Sequence, residues 1–124
     1  MTKRLSFTIG GKVYHAKMEN NVVAEQIASL CPFEQEYKRF AGHEYCARLA
    51  KPVSQDGCVE ESCPRRNKIY YFHDWNALTL LYGDGDLTQF GTTVVHIGDT
   101  EGDAASVLEH SPDAVKILCE VDNA

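Results

Sequence analysis

Residues 67–84 read NKIYYFHDWNALTLLYGD, and this stretch decides the fold. Lys68 to Phe72 and Ala77 to Tyr82 are apolar, β-favouring runs, and the HDWN between them has a turn composition. Downstream, GDGDLTQFG reads as loop and TTVVHIG (92–98) as another strand. DTEGDAASVLEHSP predicts a short helix, capped near Asp103 and stopped before Pro112. Val115, Ile117, Cys119 and Val121 then alternate through a last strand.

Upstream of the hairpin, AKPVSQDGCVEESCPRRN (50–67) carries two prolines and a dense set of charges. It reads as a long loop, a feature more often functional than not in a compact domain. Phe33 to Leu49 is aromatic and alternating around Gly42, which predicts two strands or one bent strand. In NNVVAEQIASLCP, Asn20 or Asn21 can cap a helix, and Val23, Ala24, Ile27, Ala28, Leu30 and Cys31 share one face. Pro32 ends that element. Leu5, Phe7 and Ile9 alternate into Gly10-Gly11, a pair suited to a tight hairpin. The return strand runs from Val13 to Met18, with Tyr14, Ala16 and Met18 on one face. The order is β-β-α-β-β-β-β-β-α-β. Contiguous strands broken only by two helices predict a closed or nearly closed antiparallel barrel.

The 124 residues suit one domain spanning 1–124. Apolar content of 44% and charged content of 24% are those of an ordinary globular protein. A net charge of −6 disfavours nucleic acid and anionic membrane surfaces as partners. No apolar run is long enough to span a bilayer, and the start, MTKRLSFTIGGKVYHAK, alternates like a strand instead of a signal peptide. Five cysteines, an odd count, fit free thiols in the cytoplasm.

Known chemistries find little purchase. Cys58 and Cys63 supply half of a zinc site, which Cys46, His43 and His73 would have to complete, so no metal is expected. The acidic turns fail the calcium-loop template. From Asp84 the fifth and twelfth positions are Thr88 and Val95; from Asp99 the sixth and twelfth are Ala104 and His110. They read as solvated turn carboxylates. There is no nucleophile elbow, phosphate loop or dinucleotide fingerprint, and no cofactor is implied. His73 and Asp74 are neighbours, which an extended chain points to opposite faces. The aromatics say more. Tyr37, Phe40, Tyr45, Tyr70, Tyr71, Phe72, Trp75, Tyr82 and Phe90 crowd the middle of the chain. Alternation prevents Tyr70, Tyr71 and Phe72 from all being internal, so some are expected on an outer wall, in a cleft or a partner surface.

The element order, with NKIYYFHDWNALTLLYGD followed by TTVVHIGDTEG, resembles the small bacterial and archaeal cyclophilin-like proteins. Asn67-Lys68, Tyr70-Tyr71, Trp75-Asn76, Ala77 to Tyr82 and Ile97-Gly98 carry the likeness, which extends from Leu5 to Val121. The resemblance implies an eight-stranded barrel closed at each end by a helix. It does not imply prolyl isomerase activity. Arg39 lies near the position of the isomerases' arginine. The next strand, GHEYCA, lacks their Phe-Met-x-Gln-Gly-Gly, and Trp75 comes too early. Val94 stands where their histidine would be, with His96 two residues away.

These readings lead to a barrel that binds a small molecule or an extended peptide on its outer wall. Tyr45, Tyr71, Trp75 and Tyr82 are the expected stacking residues, with Arg39 and Glu44 as polar anchors. The alternatives are a weak prolyl isomerase, whose chemistry needs only a site that favours a twisted amide, and a homodimer or complex subunit using the aromatic face.

Overall fold

In a computed structural model of the chain, which describes residues 4–122, eight strands and two helices follow the expected order. The strands are β1 (Arg4–Ile9), β2 (Lys12–Met18), β3 (Phe33–Phe40), β4 (Glu44–Arg48), β5 (Lys68–Phe72), β6 (Ala77–Leu81), β7 (Val95–Thr100) and β8 (Ala114–Val121). Helix α1 (Val22–Leu30) lies between β2 and β3, and α2 (Ala104–Glu109) between β7 and β8. Every pairing is antiparallel, and the strands close in the order β1-β2-β7-β5-β6-β4-β3-β8. Closure leaves no sheet edge unpaired among the described strands.

Two of the local signals act as expected and two do not. Gly10 and Gly11, at φ 59° and 81°, make the two-residue turn between β1 and β2. The Asn21 side chain accepts the Ala24 amide and caps α1, which buries Val23, Ala24, Ile27 and Ala28. Asp103 stands at the N-cap position of α2 without capping it; its carboxylate lies 3.9 Å from the Lys12 ammonium. The strand expected over 92–98 begins at Val95, because Val94 exchanges backbone hydrogen bonds with Glu61 of the long loop.

The two helices sit at opposite ends of β3. Cys31, following α1, meets Cys119, whose cross-strand partner is Phe33 at the start of β3. Ser111 and Asp113, following α2, meet Arg39 near its end. Both helices bury apolar residues in the same core, with Leu5, Phe7, Ile27, Tyr37, Tyr45, Tyr71, Leu80 and Leu108 among its members.

Directly opposed residues share a face. Arg39, Tyr45 and Leu80 therefore form an inward row, and Phe40, Glu44 and Leu81 an outward one. Tyr70 also faces outward, but it is fully buried in a second, smaller cluster with Leu81 and Val94. The long loop closes over it, donating the Arg65 amide to the Tyr70 hydroxyl.

Candidate functional site

The outer wall over β3, β4 and the end of β5 carries a groove with two recesses that share Phe40 and Trp75. Small residues create it: Cys46 and Ala77 line the first recess, of about 480 Å³. The 3-10 turn His73–Trp75 lifts the indole above them. Trp75 meets Phe40 edge-on at 4.7 Å and Phe72 at 5.0 Å, so three rings make one ridge.

The second recess, of about 310 Å³, lies between that ridge and residues 86–92. Leu87 and Phe90 form its apolar wall. Backbone bonds from Gly85 to Pro64 (2.8 Å) and from Leu87 to Ser62 (2.7 Å) fasten this wall to the long loop. The Thr92 hydroxyl donates to Asp74 at 2.8 Å and ties the wall to the Trp75 turn. Gly85 passes so close to His43 that a Cβ there would come within 2.6 Å of the imidazole.

Charge divides the groove. Lys38 and Arg48 border the first recess against one carboxylate, Glu36. Glu44, Asp74 and Asp86 border the second, with His43 as its only basic side chain among the described residues. Glu44 is 8% exposed, and its Oε1 stands 3.0 Å from His43 Nε2, too misaligned for a hydrogen bond. Glu44, aided by the Ala41 carbonyl, raises the His43 pKa above its usual range, while burial opposes the shift. The Thr88 hydroxyl and amide hold the Asp86 carboxyl below its usual range, so it stays an anion. Burial, then Glu44, push the Cys46 thiol up to about 11, which leaves it a poor nucleophile.

A cyclophilin-like family model matches residues 7–120, nearly the whole chain. The chain belongs to the cyclophilin-like family. The solution structure of a hypothetical protein from Archaeoglobus fulgidus is similar to this cyclophilin-like barrel at a TM-score of 0.68. The two are 13% identical over 98% of this chain and 95% of that one, a likeness of fold alone. No curated protein matches the chain.

The expected site residues separate within the cyclophilin-like barrel. Trp75 and Glu44 line the groove. Tyr45, Tyr71 and Tyr82 do not: they are 0%, 1% and 6% exposed and belong to the barrel core, because their strand parity points them inward. The Tyr45 hydroxyl donates to the Ser111 carbonyl at 3.0 Å and also to that of Pro112. The Tyr71 hydroxyl donates to Asn76 Oδ1 at 2.6 Å.

Arg39 borders the first recess, but its guanidinium turns to the barrel mouth. It lies 4.9 Å from the Tyr45 ring and 5.0 Å from the Tyr82 ring, donates to Asp113 at 3.1 Å, and donates to the Ser111 carbonyl. Contact with Tyr82 is the main influence raising its pKa. It is a plug for the barrel end.

Phe40, Phe72, Phe90, His43, Asp74 and Asp86 line the groove as well, although none is singled out by its sequence motif as a site residue. Thr79 interrupts the leucines of β6, but the outward face it marks is fixed only by its cross-strand partners Cys46 and Tyr70. Counting on from there puts Glu44 and Phe72 outside, and Tyr45 and Tyr71 inside.

Proposed function

We propose that this cyclophilin-like protein binds a small molecule or an extended peptide in the outer-wall groove, stacked against Phe40 and Trp75. One observation carries the reading. Phe40 (46% exposed) stands on the ridge between two joined recesses and Phe90 (68% exposed) on the far wall of the second, with charged side chains converging on the same ridge. Binding sites combine an apolar wall with a few placed polar groups in this way. The odd cysteine count supports a cytoplasmic setting for the binder.

Trp75 is the only tryptophan, so its fluorescence reports on the groove directly. A library of compounds and short peptides screened by protein NMR and Trp75 emission yields ligands whose shifts cluster on Phe40, Trp75 and Phe90. Trp75→Ala and Phe40→Ala lower affinity for them about tenfold or more. Ligands indifferent to both substitutions would place binding elsewhere. The same exposed rings favour a second reading, a homodimer through this face, for which light scattering on the purified protein gives twice the monomer mass.

A further inference from the structure

We propose that the groove takes an extended peptide bearing a lysine or arginine side chain in the acidic recess and, four residues away, a carboxylate side chain in the basic one. This rests on the groove being a binding site. Among the described residues the acidic recess is lined by Glu44, Asp74 and Asp86 and by no lysine or arginine. Its apolar walls, Phe72, Trp75 and Phe90, suit the stem of a long cationic side chain, and aromatic faces attract its charge. Glu44 is the most demanding member. Its side chain is about nine-tenths buried and accepts no hydrogen bond among the described residues, with His43 at 3.0 Å as its one contacting ion. A buried carboxylate needs charged or hydrogen-bonding partners, and a ligand ammonium or guanidinium supplies one.

The second charge defines the ligand's length. Glu44 and Arg48 both face outward, four residues apart on β4, a separation of roughly 13 Å. An extended peptide repeats that spacing between residues i and i+4, on one face. The Phe40–Trp75 ridge lies on the boundary of the recesses, where the middle of such a peptide crosses. A single small cation fills one recess and leaves Lys38 and Arg48 unmatched.

The probes are pooled pentapeptides, acetyl-Lys-X-X-X-Glu-amide and acetyl-Glu-X-X-X-Lys-amide. Matching pools carry norleucine for lysine or glutamine for glutamate. Hexylammonium and a set of neutral aromatic fragments complete the series, all read by Trp75 emission. One of the doubly charged pools binds about tenfold more tightly than its norleucine counterpart, and strong salt removes the difference. Glu44→Gln and Asp74→Asn each narrow the preference; should the buried Glu44 variant fail to fold, the exposed Asp74 variant still decides. Equal binding of lysine and norleucine pools, or fragments binding where no pool does, overturns the cationic peptide and leaves the groove standing. Hexylammonium binding as tightly as the best pool overturns the peptide. A Trp75 signal silent to every probe overturns both the inference and the groove.

Discussion

Two polar side chains, one buried and one partly buried, have consequences that can be measured. Tyr37 is fully buried and its hydroxyl has no hydrogen-bond partner among the described residues. Burial pushes its pKa well above the ordinary value, so the group stays neutral. An orphaned buried hydroxyl costs about 1–3 kcal/mol. Tyr37→Phe removes that penalty and leaves a void the size of one oxygen, so a net gain of about 1 kcal/mol is expected in urea unfolding. A loss of stability would show that the hydroxyl has a partner. His43 gives a pH dependence with a definite sign. Its folded-state pKa lies above the ordinary 6.5, because Glu44 favours the charged ring. Folding therefore binds the proton more tightly than the unfolded chain does. The stabilisation is complete below about pH 6.5 and disappears as pH rises through the raised folded value. His43→Gln should lower the urea midpoint at pH 5.5 and leave it nearly unchanged at pH 8.5. An equal loss at both values contradicts the ion pair.

At the scale of elements, the turn between β5 and β6 is held by one residue that composition alone does not single out. Asn76 takes φ 49°, a left-handed geometry that asparagine tolerates better than alanine does. Its side chain accepts the Tyr71 hydroxyl at 2.6 Å and donates to the Lys51 carbonyl at 2.9 Å, while its own carbonyl accepts the Leu49 amide. Asn76→Ala loses both side-chain bonds and strains the backbone, for a cost of about 2–4 kcal/mol; Asn76→Gly loses the bonds alone and falls between. Chemical denaturation checks that order, and alanine outlasting glycine would refute it. Elements of this kind were legible where the cue is local. Gly10-Gly11, the Asn21 cap and the apolar runs around HDWN each act over a few residues. Facing was not, because parity depends on cross-strand partners: Tyr45, Tyr71 and Tyr82 were expected in the cleft and lie in the core. Tyr70 does face outward, yet the distant loop that buries it could not be placed from the chain. The carboxylates of GDGDL are exposed, as a turn composition implies, but only the bonds of the long loop to Gly85 and Leu87 set Asp86 on the rim of the recess.

Across the whole molecule, barrel closure joins what the chain separates: β1 lies beside β8, with Leu5 opposite Val121. It also brings Cys31, after α1, within 3.6 Å of Cys119 on β8, sulfur to sulfur, over a separation of 88 residues. Both thiols are free in this structure. The pair is asymmetric. The hydrogen bond from Cys119 lowers the Cys31 pKa, whereas that same contact and burial push Cys119 far up. Cys31, partly exposed, is therefore the attacking thiolate toward glutathione disulfide; it forms the mixed disulfide and displaces one glutathione thiolate. Cys119 then loses its proton to solvent and displaces the second glutathione, leaving a Cys31–Cys119 bond and two reduced glutathiones in all. The high Cys119 pKa keeps little thiolate available, so this second step is the slow one. A bond across 88 residues restricts the unfolded chain by about 4–5 kcal/mol in the chain-entropy account. Treatment with oxidised glutathione should give, over hours, a product lighter by one pair of hydrogens that melts at higher temperature and reverts with dithiothreitol. Cys31→Ser should abolish that product, and Cys119→Ser should stop at the mixed disulfide. If the unsubstituted protein also stops at the mixed disulfide, the two sulfurs do not approach as the closed barrel requires.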